Sequence, residues 1–454
     1  MPRQPWRDIA CQVWGAAATD VARHFVERWD HARRLMGLNY DTFYDLCPAL
    51  ELQAPDRPLL FGSVTAGTAP SAEAALRSLE AAVAKPCPEY RNRSAPRQMA
   101  ARDSQNLSSV QVLRSVARWS CGSRHESSIH AAYCALIENA QDTLYIENQF
   151  FASASSAGDE ELGNRIAHAL ASRLMRAAKT GEVFRCMFVL PLLPGFSNEI
   201  ESTSGKAGPL LAVMYYQFRT MCKGPASILG QLRPAIAEAV RDGVLPPGAC
   251  VEDYVRFFGL RNWARLGGRC VTSDVYVHSK AMIVDDKAVI IGSANINDRS
   301  MLGNRDSEMC LCLEDESRRF GSSMRAATIC EFFGEASGEA GAEDDLSNWK
   351  DDGVWARMGK IARNNTELFR SALFPVPDDT ITTWSQLRSK QAARTFDVSK
   401  YPPDQLLDGH GVDCEATLRK IRGIIVDFPL KFLEDEDLKP ASMSAAGLAP
   451  AIFN

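Results

Sequence analysis

Six residues within one short stretch have the types and spacing that phosphoryl chemistry uses. His278, Lys280, Asp285, Gly292, Ser293 and Asn295 spell H-x-K-x4-D-x6-G-S-x-N inside VYVHSKAMIVDDKAVIIGSANINDRS, residues 275–300. Cleaving a phosphodiester takes a nucleophile, an acid for the departing alkoxide and positive charge on the phosphoryl oxygens. Imidazole, with an ordinary pKa of about 6.5, can attack or carry a proton near neutrality. A lysine beside it supplies fixed charge, and Ser293 and Asn295 can donate hydrogen bonds to phosphate oxygens. At roughly 5% usage per residue type, chance gives the six-position pattern about once in 100,000 chains of this length, so the signal is specific. Asp285 belongs to the motif and hence to the candidate catalytic set, although its surroundings suit it better to holding a turn. This chemistry requires no metal or other cofactor, and no carboxylate or histidine ligand cluster of the two-metal kind stands out.

The elements that position these groups follow from a two-residue period. Val275, Val277, Ser279, Ala281 and Ile283 fall on one side of a strand, and Tyr276, His278, Lys280, Met282 and Val284 on the other. His278 and Lys280 are therefore expected to point the same way. Asp285, Asp286 and Lys287 interrupt the apolar run as a turn does, and Ala288 to Gly292 starts a second strand, with Ser293 and Asn295 sharing a face beyond it.

Around this motif the chain resembles the C-terminal half of eukaryotic phosphatidylcholine-hydrolysing phospholipase D, within the phospholipase D superfamily. The likeness rests on the six residues above and on YIENQFF (145–151), PLLPGF (191–196), IGSANINDRSMLG (291–303), RDSE (305–308) and PLKFLEDEDL (429–438), and weakens at 35–105 and 313–350. It implies hydrolysis of phosphatidylcholine to phosphatidic acid and choline in two steps. One motif's histidine forms a phosphohistidine, the other's protonates the leaving alcohol, and water or a primary alcohol then takes the phosphatidyl group. By the same resemblance His278 is the acid/base member, with nucleophile as the alternative, and Glu308 orients a histidine ring, its own or that of a partner lobe. Glu147, Asn148 and Gln149 are either a pocket wall or simply the end of a core strand. The basic helix near the start resembles the phosphoinositide-responsive region of eukaryotic members, and that resemblance implies phosphoinositide activation, with Arg23 and Arg28 as contacts to anionic lipid, against the plainer reading of a solvated face.

Family members carry two such motifs in paired lobes that share one site. Here seven histidines are present and only His278 has lysine two residues on. Residues 1–35 then read as a remnant of the first catalytic lobe, 36–109 as a linker or loop-rich region, 110–333 as the second lobe and 334–454 as a C-terminal region packing on it. Three accounts are open. The favoured one is a fragment whose second catalytic lobe lies upstream in cis; the others are a chain that completes its site by dimerisation, as a single-motif phosphodiesterase or nuclease would, and a non-catalytic, membrane-binding remnant.

Composition narrows the field. With 454 residues, 46% hydrophobic and 24% charged, the chain can bury a sizeable core. A net charge of -5 offers no overall basic field, so no nucleic acid partner is expected. Thirteen scattered cysteines without a C-x2-C pair read as reduced thiols in a cytosolic compartment. No apolar run approaches the roughly 20 residues of a membrane span, so contact with the phospholipid substrate is expected to be peripheral, at the membrane surface.

Periodicity predicts a strand over 8–14, a helix from about 20 to 34, a strand over 110–119, a helix over 127–140 and a strand over 142–151. A helix over 161–180, a strand over 183–193, a helical region over 208–240 broken near Gly224-Pro225 and a strand over 305–315 follow. Beyond 316 helices dominate, and 421–433 is expected to pack back on the lobe. Helices alternating with apolar strands imply an α/β fold, an α-β-α sandwich around a mixed sheet.

Overall fold

The computed structural model describes residues 4–13, 15–35, 109–122, 124–195, 209–266, 268–334, 346–373, 375–394 and 414–439. The loop-rich region expected at 36–109 and the acidic stretch after 334 therefore lie almost wholly outside the described residues.

Twelve strands are named in chain order: β1 (Trp6–Arg7), β2 (Ser109–Val116), β3 (Glu126–Ser127), β4 (Thr143–Glu147), β5 (Arg185–Val189), β6 (Val255–Leu266), β7 (Arg269–Asp274), β8 (Tyr276–Val277), β9 (Ala281–Val284), β10 (Ala288–Gly292), β11 (Glu308–Glu314) and β12 (Ile425–Asp427). Ten form one mixed sheet in the order β12-β6-β5-β4-β9-β10-β11-β2-β3, with β7 hairpinned onto β6. The five central pairings differ in sense. β4, β5 and β6 run parallel, whereas β4–β9, β9–β10 and β10–β11 are antiparallel. Parallel neighbours need long crossovers. The helix Ile166–Thr180 supplies the first, and Pro209–Met221 with Ile228–Arg241 the second.

Because strand side chains alternate, each central strand feeds two cores. Leu144, Ile146, Met282, Val284 and Ile290 pack with Ile129, Tyr133, Leu170, Leu174 and Leu232 on one face. Tyr145, Val189, Ala281, Ile283 and Val289 pack on the other with Ile329 and Phe332 of the helix Arg319–Phe333 and with Trp355 and Met358 of the helix Asp352–Leu373. The α/β sandwich with helices on both faces is thus built directly from the period-two pattern.

Several expected boundaries move for identifiable reasons. No strand forms over residues 8–13 of the range predicted at 8–14; the neighbouring pair Trp6–Arg7 forms β1 instead, limited by its ladder partner β8, which is itself two residues long. The helix predicted from 161 begins at Ile166, since Asp298 accepts hydrogen bonds from the Gly163 and Asn164 N–H groups at 2.8 and 2.9 Å and holds that segment in a loop. The single strand expected across 275–284 breaks at His278–Lys280 into β8 and β9. The β6–β7 hairpin was not anticipated. The 421–433 segment does return to the lobe, as the strand β12 against β6.

Candidate active site

The catalytic candidates gather at one end of the sheet because of the break between β8 and β9. β1 runs parallel to β8 with Trp6 opposite Tyr276 and Arg7 opposite Val277. The Arg7 carbonyl then accepts from the His278 and Ser279 N–H groups at 2.8 and 3.2 Å, which pins the backbone of the histidine. The next side chain along, Asp8, faces the imidazole, with Oδ2 2.9 Å from Nδ1. Trp6 flanks the ring at 4.8 Å between centroids, leaving His278 about one third exposed.

Lys280 lies beneath the histidine. Its Nζ donates to Gln149 Oε1 at 3.0 Å and to the His278 carbonyl. The side chain is buried, and burial pulls its ammonium down to about 8, with Asp8 and Glu308 opposing the shift. Gln149 is fixed in turn by donating to the Tyr276 hydroxyl at 3.0 Å, and that hydroxyl donates to the Pro194 carbonyl at 3.2 Å. The ammonium and a clamped amide are thereby held against the backbone of His278.

Beyond β10 the antiparallel register with β11 places Gly292 opposite Cys310 and brings Ser293 beside Glu308 and Met309. Ser293 donates its one hydroxyl proton to Glu308 and accepts from the Met309 N–H at 3.1 Å. Ser300 donates to the other Glu308 oxygen at 2.7 Å. Burial pushes the Glu308 carboxyl above its ordinary range, against these two hydrogen bonds. Asn295 is half-buried, and its Oδ1 finds no hydrogen-bond partner among the described residues.

Some expected residues are placed elsewhere. Asp285 sits at the opposite end of β9, in a left-handed turn with φ of 53°, and accepts from the N–H groups of Gln141, Asp142 and Thr143 at 2.8, 2.7 and 2.9 Å. It ties the β9–β10 turn to the start of β4 and does not reach the catalytic group. Ser293 holds Glu308, so its proton is not available to a phosphate in this arrangement. Glu308 contacts Ser293 and Ser300, and the carboxylate on His278 is that of Asp8. Of the three candidates at the end of β4 and just beyond it, only Gln149 touches the site. Asn148 is fully buried and accepts from Ile296 N–H at 3.0 Å, holding the loop that carries Asn295. Glu147, also fully buried, faces away from Lys280 and lies 3.3 Å from Arg7 Nε.

Neither basic candidate on the helix Ala16–Leu35 is presented to solvent as a free charge. Arg23 pairs with Asp20 at 3.0 Å, and Arg28 donates to the Ser120 carbonyl. That helix leaves Phe25 and Trp29 exposed instead.

The residues missing from the sequence reading are Asp8, with Trp6 and Arg7 beside it. No local pattern marks them, because their partners are about 270 residues away. The usable signal was chemical: an imidazole held in one orientation needs an acceptor on its second nitrogen.

A family model described as Phospholipase D matches residues 1–315. The chain belongs to the phospholipase D family. "Phospholipase D zeta 2" of Arabidopsis thaliana is 33% identical over 100% of this chain and 48% of its own length, and "Phospholipase D1" of Mus musculus is 35% identical over 99% of this chain and 37% of its own length. The chain thus spans less than half of these two phospholipase D relatives. A crystal structure of a phospholipase D family member, Nuc from Salmonella typhimurium, is similar at 15% identity and a TM-score of 0.25, covering 48% of this chain and 90% of that one. Among the described residues of this chain no helix is long and apolar enough to cross a membrane, and no group of three or more His, Cys, Asp or Glu side chains is arranged to hold a metal ion.

Proposed function

We propose that this chain carries one catalytic half of a phospholipase D that hydrolyses phosphatidylcholine to phosphatidic acid and choline at a membrane surface, by way of a phosphohistidine. The observation that carries the reading is the Asp8–His278 pair set over Lys280, with Gln149 fixing the ammonium. In the forward step a histidine of the complementary lobe attacks phosphorus and the phosphorus–oxygen bond to choline breaks. His278, oriented by Asp8, delivers its proton to the choline oxygen. His278 then takes a proton from water, or from a primary alcohol, as that oxygen attacks the phosphohistidine and frees phosphatidic acid or a phosphatidyl alcohol. Lys280 places fixed positive charge against the phosphoryl oxygens, which is where charge builds in such displacements. This reading calls for no metal ion.

The complementary histidine is proposed to come from a second lobe, either upstream in the same polypeptide or from a second copy. Glu308, buried and already held by two serine hydroxyls, is the carboxylate free of His278 and suited to orient that second ring. Phosphoinositide activation remains part of the proposal, with Arg23, paired with Asp20, and Arg28, donating to the Ser120 carbonyl, both partly exposed.

The test is formation of a phosphatidyl alcohol from phosphatidylcholine vesicles and a primary alcohol. Activity in the chain, alone or joined to an upstream H-x-K-x4-D lobe, and its loss in His278→Asn is the expected result. Absence of product in both forms sinks the reading and leaves a membrane-binding remnant.

A further inference from the structure

A cleft of about 490 Å³ lies along the edge of β6 and shares no lining residue with the catalytic group. It opens because β12 is too short: β12 covers β6 only from Phe258 to Leu260, leaving Val255 and Arg256 without a ladder neighbour on that side. The volume is within the range of small-ligand sites, about 300–1,000 Å³.

Three arginines from three elements converge on it: Arg233 of the helix Ile228–Arg241, Arg256 of β6 and Arg363 of the helix Asp352–Leu373. Among the described residues none of the three makes an ion pair or a hydrogen bond, in a chain where many other arginines do. Arg256 is the informative one. Its guanidinium crosses Gly359, where any Cβ would collide with it, and lies 5.3 Å from the Trp355 ring centre, yet its Nε is buried without an acceptor. Burial, then the neighbouring Arg363 charge, push Arg256 below its ordinary range. Two adjacent guanidiniums turned to a cavity with an unused buried donor are a costly arrangement unless an anion joins them.

The cleft is lined by five basic and four acidic side chains, so the acids must be weighed. Asp379 accepts from the Lys431 backbone N–H at 2.8 Å, and Glu252 and Glu434 stand exposed at the rim. Asp427 acts on both Arg256 and Arg363, with Glu252 and Asp253 acting on Arg256 as well, and burial pushes the Asp427 carboxyl up to about 6 in spite of the two arginines. Asp427 therefore stays largely charged at neutral pH and opposes an incoming anion, and its opposition falls only as pH drops below about 6.

We propose that this cleft is a second ligand site that binds a phosphomonoester through Arg233, Arg256 and Arg363. Planar guanidinium forks from several directions match the oxygens of a phosphate dianion. A bound phosphate joins the lobe, through β6, to the helix Asp352–Leu373. The same headgroup chemistry occurs free in solution or on a lipid.

Calorimetric titration of the whole chain with glycerol phosphate, and flotation with phosphatidylcholine vesicles with and without phosphatidic acid, test this. The expected result is binding of one or both phosphomonoesters, weakened at least about tenfold by Arg363→Gln and by Arg233→Gln, as loss of a charge-assisted contact implies, and unchanged by Lys280→Met. Both arginines are exposed at the rim, and unchanged Tm values verify that these variants fold. Binding of glycerol phosphate alone assigns a soluble ligand; binding only of phosphatidic acid vesicles assigns a lipid headgroup. The inference is overturned if glycerol phosphate does not bind and phosphatidic acid adds nothing to vesicle binding, or if phosphomonoester binding survives both arginine changes or disappears with Lys280→Met.

Discussion

Asp8 and His278 are separated by 270 residues and meet side chain to side chain at 2.9 Å. The contact uses Nδ1, so Nε2 is left for chemistry, and it depends on a two-residue parallel pairing between β1 and β8. An acceptor on the inner nitrogen holds a histidine in the tautomer that can act from the outer one.

Replacing Asp8 by Asn removes the charge while keeping the shape. We expect kcat for phosphatidyl transfer to fall by about 100-fold or more, with KM and Tm nearly unchanged, since the Asp8 carboxylate is largely exposed. Steady-state kinetics in a form carrying both lobes give the readout. A variant as fast as the parent removes Asp8 from the mechanism.

Lys280 makes a pH prediction with a definite sign. Burial brings its ammonium down to about 8, so the positive charge on the phosphoryl site disappears as pH rises through that value, and activity falls with it. Stability moves the other way. The unfolded lysine, near 10.5, binds more protons than the folded one between about 8 and 10.5, so stability rises across that window. Lys280→Met is accordingly expected to abolish turnover yet raise stability by about 1–3 kcal/mol near neutrality, as relief of a buried charge. Chemical denaturation at pH 7 measures it, and a less stable Met variant contradicts the account.

Asp285 separates motif membership from catalysis. Its carboxylate caps three consecutive backbone N–H groups at the start of β4. Asp285→Ala leaves these donors unmet and is predicted to cost about 2–4 kcal/mol, with kcat retained in the fraction that stays folded. Denaturation midpoints and active-site titration distinguish this from a catalytic loss, in which kcat per folded molecule drops.

What the sequence disclosed and what it withheld divide along range. The β9–β10 hairpin and the two-sided core follow from local period, and each is present, whereas His278 and Lys280 fall in the break between β8 and β9, where Lys280 Nζ reaches the His278 backbone carbonyl. Asp8 could not be found that way, because the contact is created by a fold-level pairing between opposite ends of the polypeptide. β6 was hidden for another reason. Arg256 and Arg261 interrupt its apolar text, and only tertiary neighbours such as Trp355 and Phe369 make those positions tolerable. Gly267-Gly268 between β6 and β7 was a hairpin signal that could have been used. Ser293 has the right type at the right spacing, but a neighbouring strand claims its proton.

The Arg7–Glu147 contact gives the most discriminating stability test. Glu147 is fully buried 3.3 Å from Arg7 Nε, and Arg7 also reaches Glu331 at 2.9 Å, so one cation serves two carboxylates below the histidine backbone. Burial raises the Glu147 carboxyl above its ordinary range, with Arg7 pulling the other way. A raised carboxyl binds more protons folded than unfolded, so its contribution to stability is full below the unfolded pKa and is lost as pH rises through the folded one. Removing Arg7 takes away the opposing pull and deepens that loss. Arg7→Met is therefore expected to cost about 3–5 kcal/mol at neutral pH, where a buried carboxylate is left uncompensated, and distinctly less in acid, where Glu147 is protonated. Glu147→Gln leaves Arg7 with Glu331 and removes the titrating group, so it should cost at most about 1–2 kcal/mol in acid and less at neutral pH. Urea denaturation of both variants at acid and neutral pH decides the matter: a penalty for Arg7→Met that is the same at both would mean that packing, and not the Glu147 charge, holds β1 against the catalytic histidine.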